Sequence, residues 1–197
     1  MRELKRLRLG NVLFGMRLER LPHSVVFRAL VSHVADTVGV LNRFKNTDKM
    51  CLFMDLDDRA ESPLQMLSDD GFSYIMFETS KKHRNVICPD LISKEELDYH
   101  MKKYLRYMDY RFNYVYFRDG CNAIRITPKL VDGKMLRQIR IIATSVNFRS
   151  PTKMHRGLVK LVSDVFGDDY MKPFFNSRLD DSTKDDLIER RYETINW

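Results

Sequence analysis

Residues Lys49–Leu91, KMCLFMDLDDRAESPLQMLSDDGFSYIMFETSKKHRNVICPDL, contain two apolar runs, and each run leads into polar side chains. The first run, MCLFM, is followed by Asp55-Leu-Asp57, and the second, FSYIMF, is followed by ETSKKHR. Side chains two positions apart on a strand share a face, so Asp55 and Asp57 point the same way. The stretch predicts one strand that ends in carboxylates and another that ends in a Ser/Lys/His/Arg cluster.

A short helix is predicted between these strands. Ser62 suits its N-cap, Pro63 its first position and Gln65 the capping box, while Gly71 suits a left-handed ending. We expect this helix to bring the second strand back beside the first in a β-α-β-like unit.

Neighbouring strands would bring the two aspartates to the basic cluster. Carboxylates beside serine, lysine, histidine and arginine favour a site for a divalent metal and a phosphorylated ligand. The alternative is structural, because aspartates after a strand often form a solvated turn and a single histidine often has no functional role.

The order of these motifs resembles the catalytic core of the archaeo-eukaryotic primase and primase-polymerase superfamily. Its first motif is matched by Leu52-Phe-Met-Asp55-Leu-Asp57. Its second, a serine followed by a histidine, is matched by Ser80-Lys-Lys-His83, which is one residue longer than the simplest form. Its third, an acidic residue on a later strand, would be Asp109 or, less well, Asp119.

This resemblance implies an α+β fold, with a central, mostly antiparallel sheet flanked by helices and a core related to the RNA-recognition motif. It implies a nucleotidyltransferase that uses Mg²⁺ or Mn²⁺, nucleoside triphosphates and a single-stranded nucleic-acid template, with a replication protein as a further partner. The implied catalytic residues are Asp55, Asp57, Asp109 and His83, and the three aspartates are the metal ligands. The implied substrate-binding residues are Ser80, Lys82, Arg84, Arg125 and Lys129.

Length and composition set the class of protein. The chain has 197 residues, of which 44% are hydrophobic and 31% charged, so we expect a folded protein with a substantial core. We divide it into a catalytic core at 1–150 and a helical extension at 151–197. The net charge of +7 favours polyanionic partners. No apolar run is long enough to span a membrane, so we expect a cytoplasmic protein without a membrane partner.

The three cysteines, Cys51, Cys88 and Cys121, are widely spaced and form no C-x-x-C pair. This spacing argues against a zinc finger or ribbon, and we expect reduced structural residues. The compact chain would suit a virus or a mobile element.

The amino-terminal third is predicted to contain strands and then a helix. Residues 1–21 alternate basic and apolar side chains, which favours two strands separated at Gly10-Asn11. A helix is predicted from Ser24 to Leu41, because its valines and leucines fall near one stripe.

The remaining chain is predicted to alternate helices and strands. We expect a strand at 85–92, which Pro89 limits to an edge of the sheet or to the end of the strand, then a helix at 93–108 and a hairpin of strands 112–117 and 122–129. Arg125 and Lys129 would share a face of the return strand, where they suit phosphate groups. Residues 135–142 fit either a strand or a helix, and 151–166 fit a helix.

Two other functions remain open. A nucleic-acid-binding replication factor without catalysis would explain the basic charge while leaving Asp55 and Asp57 as turn residues. A metal-dependent nuclease would use the same aspartates and cations, but it would need no nucleoside triphosphate.

Overall fold

A computed structural model describes the backbone of residues 4–9, 12–21, 24–56, 63–80, 83–126, 129–131, 134–137 and 139–194. The strands are β1 Leu4–Leu9, β2 Val12–Leu21, β3 Ser24–Phe44, β4 Met50–Leu56, β5 Tyr74–Ser80, β6 His83–Ile92, β7 Ala123–Arg125, β8 Lys129–Val131, β9 Lys134–Arg137, β10 Arg140–Ser145 and β11 Leu187–Thr194. The helices are α1 Leu64–Asp69, α2 Lys94–Lys103, α3 Tyr110–Asp119, α4 Arg156–Phe166 and α5 Lys172–Phe175, with 3₁₀ turns at Leu105–Tyr107 and Lys184–Asp186.

The fold is α+β, with a mostly antiparallel open sheet flanked by helices, as the sequence predicts. The strand order is β1-β2-β3-β4-β6-β5-β10, and β7 and β11 also pair with β3. Strands β8 and β9 form a separate two-stranded sheet. Because β6 is antiparallel to both β4 and β5, these two strands run parallel to each other.

Both faces of the sheet are buried at its central strands. On one face, called the α1 face here, Leu52, Met54 and Val86 pack against α1, α2 and α3. On the other, called the α4 face, Phe53, Phe77 and Ile87 pack against α4 and α5. Strands covered on both sides read as continuous apolar runs, which is why MCLFM lacks polar alternation.

Two of the predicted helix ends are confirmed. Ser93 caps α2 in a complete capping box with Glu96. Helix α1 ends before Gly71, whose φ of 90° lies in the left-handed region. The predicted start of α1 is wrong, because Pro63 is its N-cap instead of its first residue and Gln65 donates to Asp69 instead of closing a capping box.

Two predicted elements have the wrong type. Residues 24–44 form strand β3, not a helix; this segment is rich in valine, and β-branched side chains favour strands. Residues 112–117 lie within helix α3, not in a strand. Tyrosines and phenylalanines suggested a strand there, but Asp109 caps a helix that buries Asn113 and Tyr116 three positions apart.

Strand β6 is longer and more central than predicted. It begins at His83 and lies between β4 and β5 instead of at an edge. Proline has no backbone N–H to donate to a neighbouring strand. Pro89 is tolerated because the pairing of β6 with β5 ends at Ile87 and its register to β4 shifts between Met50 and Leu52.

The predicted strand at 122–129 is also interrupted. Residues 123–125 form β7, which pairs with β3, and Lys129 begins β8 in the other sheet. Arg125 and Lys129 therefore do not share one strand face. Pro128, which cannot donate a backbone hydrogen bond, lies between the two segments.

The ambiguous residues 135–142 contribute to strands β9 and β10, and helix α4 lies within the predicted 151–166. The carboxyl-terminal residues then pack through α5 and return to β3 as strand β11. Cys51, Cys88 and Cys121 are buried and form no disulfide. Among the described helices, none has the length and apolar character needed to cross a bilayer.

Candidate functional site at one end of the central sheet

The parallel directions of β4 and β5 bring the two sequence motifs to the same end of the sheet. Strand β6 starts at that end, between the last residues of β4 and β5. We call this region the motif end and define it by residues 55–56, 78–80 and 83–85. The motif strands are thus separated by β6 instead of paired directly, but their ends still converge.

Asp55 lies on the α4 face of the motif end. It pairs in register with Asn85 of β6, which pairs in turn with Phe77 of β5. Asp55 is partly buried, whereas Asn85 and Phe77 are buried. Asp55 is the only residue of β4 that is not fully buried, so a ligand could reach the strand at this position.

Three charged residues lie in a row across the α1 face, beside Leu56 of β4. Leu56, Arg84, Glu78 and Arg140 occupy successive strands at the same level. A guanidinium nitrogen of Arg140 lies 2.6 Å from a carboxylate oxygen of Glu78. Arg84 is exposed beside this pair.

Sequence reasoning did not identify Glu78 and Arg140 as part of the site. Glu78 lies in the motif stretch, so its position two residues before Ser80 was a usable signal. Arg140 is 62 residues away along the chain, and only the pairing of β5 with β10 reveals it.

The second motif is a tight hairpin. Ser80 and His83 are cross-strand partners in the β5–β6 pair, with residues 81–82 joining them. The hydroxyl of Thr79 donates to the carbonyl of His83 at 3.1 Å. The spacing of Ser80 and His83 therefore places both residues at the edge of the motif end, where His83 is exposed. Lys82 and the side chain of Ser80 lie outside the described residues.

Asp109 adjoins Asp55 through the backbone. Its N–H donates to the carbonyl of Asp55 at 2.8 Å. Its carboxylate accepts a hydrogen bond from the N–H of Phe112 at 2.9 Å, which caps α3. The third acidic candidate thus precedes a helix instead of lying on a later strand.

Asp119 stands at the opposite end of α3. A helix rises 1.5 Å per residue, so the ten residues separate it from Asp109 by about 15 Å along the axis. Arg118 binds the Asp119 carboxylate at 2.6 Å. Of the two acidic candidates, Asp109 is the one that the structure places beside Asp55.

Arg125 ends β7 at the same end of the sheet. Strands β4 and β7 are both antiparallel to β3, so they run parallel to each other, and they are in contact. Ile124 and Ile126 belong to the core on the α4 face, which places Arg125 on the α1 face with Arg84. Asp57 and the side chain of Lys129 lie outside the described residues.

The donor set fits a hard divalent cation only if Asp57 joins it. Carboxylate oxygens are the ligands that Mg²⁺ and Mn²⁺ prefer, and Asp55 and Asp109 supply two carboxylates on adjoining backbone segments. Within the parts of the chain that the structure describes, no three histidine, cysteine, aspartate or glutamate side chains are clustered for a metal. A metal centre at the motif end therefore depends on Asp57 as the third ligand.

Comparisons with protein families, with curated proteins and with solved structures give no match to this chain. The function of the protein is therefore inferred from the residues of this chain.

Proposed function

We propose that the protein is a primase-like nucleotidyltransferase that uses nucleoside triphosphates and a single-stranded nucleic-acid template. The observation that carries the proposal is that acidic and basic residues from different elements lie at the motif end. Asp55, His83 and Arg84 lie on adjacent strands there, and Asp109 is hydrogen-bonded to Asp55 through its backbone. Asp55 lies on the α4 face and Arg84 on the α1 face, so a metal-bound triphosphate would contact the two kinds of group around the end of the sheet.

The arrangement of strands supports the same proposal. Helix α1 links β4 to β5, and β6 lies between these parallel strands, so the three strands form a split β-α-β unit. Leu67 of α1 and Leu97 of α2 are buried in the same core, so both helices cover one face. This is the type of sheet expected for a core related to the RNA-recognition motif.

Each residue has a defined role in this proposal. Asp55, Asp57 and Asp109 would hold Mg²⁺ or Mn²⁺, which stabilises charge on the reacting phosphate and orients the 3′-hydroxyl. Arg84 and Arg125, on the α1 face, would bind phosphate oxygens through their planar guanidinium groups. His83 and Ser80, paired across the hairpin, would contact the incoming nucleotide, with Lys82 and Lys129 adding positive charge.

The test is template-dependent incorporation of labelled nucleotides with Mn²⁺ or Mg²⁺. We expect Asp55→Asn to reduce incorporation at least 100-fold, because it removes a ligand charge without changing side-chain size. Asp109→Asn should also reduce it, although asparagine caps a helix as well as aspartate does. Asp119→Asn is the matched control and should retain activity, since Asp119 lies at the far end of α3.

Three outcomes would contradict the proposal. Full incorporation by Asp55→Asn would show that the reaction does not require the Asp55 carboxylate. Degradation of the template without added nucleotides, lost in Asp55→Asn, would indicate a nuclease. Nucleic-acid binding without incorporation, unchanged in Asp55→Asn, would indicate a binding factor.

A further inference from the structure

Helix α3 exposes a row of aromatic rings. Tyr110 is 78% exposed, Tyr114 54% and Phe117 48%. Large aromatic side chains normally bury most of their surface, and a contiguous exposed set marks a place where something binds. The three residues are spaced four and three positions apart, so they lie on one side of the helix. We call them the aromatic row.

Two of the rings stack on each other, and the third contacts a buried ring. The rings of Tyr110 and Tyr114 are nearly parallel, with centroids 6.5 Å apart and planes inclined by 27°. Phe117 is held by an edge contact with the buried Tyr116 at 5.3 Å. Rings arranged this way can stack with further flat, unsaturated groups without a change in the helix.

Arginines run alongside the rings. At 100° per residue, Arg111 and Arg118 lie about 70–90° around the helix from the middle of the aromatic row. Both are exposed. The guanidinium of Arg118 lies 5.7 Å from the Tyr114 ring centroid and also binds Asp119. The two side chains make a bidentate pair, so a phosphate would have to compete with the Asp119 carboxylate for Arg118.

The row also starts beside the candidate site. Tyr110 follows Asp109, whose N–H is bonded to the carbonyl of Asp55. From there, the row extends about 10 Å along α3 to Phe117. A chain of bases that stacks on the rings would therefore lead to the motif end.

We propose that the outer face of α3 binds single-stranded nucleic acid, with bases stacked on Tyr110, Tyr114 and Phe117 and phosphates bound by Arg111 and Arg118. The direction of the strand toward Asp55 depends on the proposed function, but the binding itself does not.

The chemistry of the face favours a polyanion over a second protein. Aromatic residues and arginine are enriched at protein interfaces as well, so the choice between the two kinds of partner depends on charge. Here two arginines flank three aromatic rings, in a chain with a net charge of +7. Aromatic rings beside cations are the combination that single-stranded nucleic acids require.

Fluorescence anisotropy with labelled dT₁₂, without metal or nucleoside triphosphate, tests the proposal. We expect the triple variant Tyr110→Ala/Tyr114→Ala/Phe117→Ala to weaken binding at least tenfold, because base stacking is lost. Phe148→Ala is the matched control, since this ring is 64% exposed but lies in a loop after β10, and it should bind like the wild type. Tyr110→Phe/Tyr114→Phe keeps the rings and should also bind normally.

The arginines give two independent readouts. Arg111→Gln should reduce the slope of log affinity against log salt by about 0.7, as expected for the loss of one phosphate contact to a single strand. Asp119→Asn should tighten binding about two- to fivefold, because it releases Arg118. Circular dichroism verifies folding, and the single variant Tyr110→Ala replaces the triple variant if that variant unfolds.

Unchanged affinity in the folded aromatic variants would overturn the proposal. A wild-type dimer that becomes monomeric in those variants, with unchanged dT₁₂ affinity, would also overturn it and assign the face to a second copy of the chain. The dT₁₂ assay contains neither metal nor nucleoside triphosphate, so failure of the proposed catalysis is distinguishable from failure of this surface.

Discussion

Gly157→Ala is expected to destabilise the protein by about 3 kcal/mol or more, the largest effect that we predict for a single methyl group. Gly157 lies in the first turn of α4, where its backbone packs against the 3₁₀ turn Lys184–Asp186. A Cβ atom at this position would collide with the carbonyl group of Thr183 and lie 2.8 Å from the backbone nitrogen of Lys184. These are backbone atoms, which cannot rotate away as a flexible side chain can.

Helix propensity acts in the opposite direction but is smaller. Replacing glycine by alanine within a helix normally stabilises it by roughly 1 kcal/mol. The steric conflict should exceed this gain, because it separates α4 from the segment that leads into β11.

Chemical denaturation measures the difference in the free energy of unfolding between Gly157→Ala and the wild type. Lys160→Ala, an exposed change on the same helix, should alter the free energy of unfolding by less than about 0.5 kcal/mol. Equal stability of Gly157→Ala and the wild type would show that α4 and this turn are not packed as described.

The second large effect concerns Asp90, a buried carboxyl group in β6 that is 1% exposed. One carboxylate oxygen accepts a hydrogen bond from the N–H of Ser73 at 2.7 Å. The other is buried and has no hydrogen-bond partner. Burial raises the pKa of Asp90 to about 7, and the hydrogen bonds from Ser73 offset only part of that rise.

The consequence for stability follows from proton linkage. In the unfolded chain Asp90 has an ordinary pKa near 3.8, so between that value and about 7 the folded state binds the proton more tightly. Stability from this group is therefore present at low pH and is lost as pH rises toward 7. Between pH 5 and pH 8 the loss is roughly 2–3 kcal/mol.

Asp90→Asn removes this titration and preserves the shape of the side chain. We expect the variant to be more stable than the wild type at pH 8 by about 1–2 kcal/mol, and the difference to shrink or reverse at pH 5. Denaturation at several pH values measures it. Asp185→Asn, a change at an exposed residue, is the control for the loss of one carboxylate and should alter the free energy of unfolding by less than about 0.5 kcal/mol. A variant that is less stable than wild type at pH 8 would mean that Asp90 is charged and compensated in the folded protein.

The local signals in the sequence were sufficient for the motif strands and for helix α2. Met50–Met54 and the run before Glu78 are apolar because both faces of the sheet are covered. Ser93 and Glu96 form a capping box, which fixes the start of a helix independently of tertiary contacts. These features depend on neighbours within a few residues, so the sequence alone can reveal them.

The errors arose where the environment decides the structure. Residues 24–44 have a helical stripe, but pairing with β2, β7 and β11 makes them a strand. Helix α3 contains five tyrosines and phenylalanines, which individually favour strands. Three of them are the exposed aromatic row, so a feature that misled the secondary-structure prediction became the basis for a proposed binding surface.

The site was predictable as a set of motifs but not as a geometry. Asp55, His83 and Arg84 lie at the same end of the sheet, but β6 lies between the two motif strands and Arg84 is on the opposite face from Asp55. Their convergence required only that β4 and β5 run parallel. The neighbouring Arg140 and the bond between Asp109 and Asp55 come from long-range pairing that no local pattern encodes.

The central claim is that the motif end binds a catalytic divalent metal, and paramagnetic broadening of amide NMR signals by Mn²⁺ tests it most directly. At less than one equivalent of Mn²⁺, we expect the amide signals of Asp55, Asn85 and Asp109 to broaden first, and Asp55→Asn to abolish that selectivity. Broadening centred on another acidic segment, such as residues 180–186, or broadening that is unchanged in Asp55→Asn, would contradict the claim.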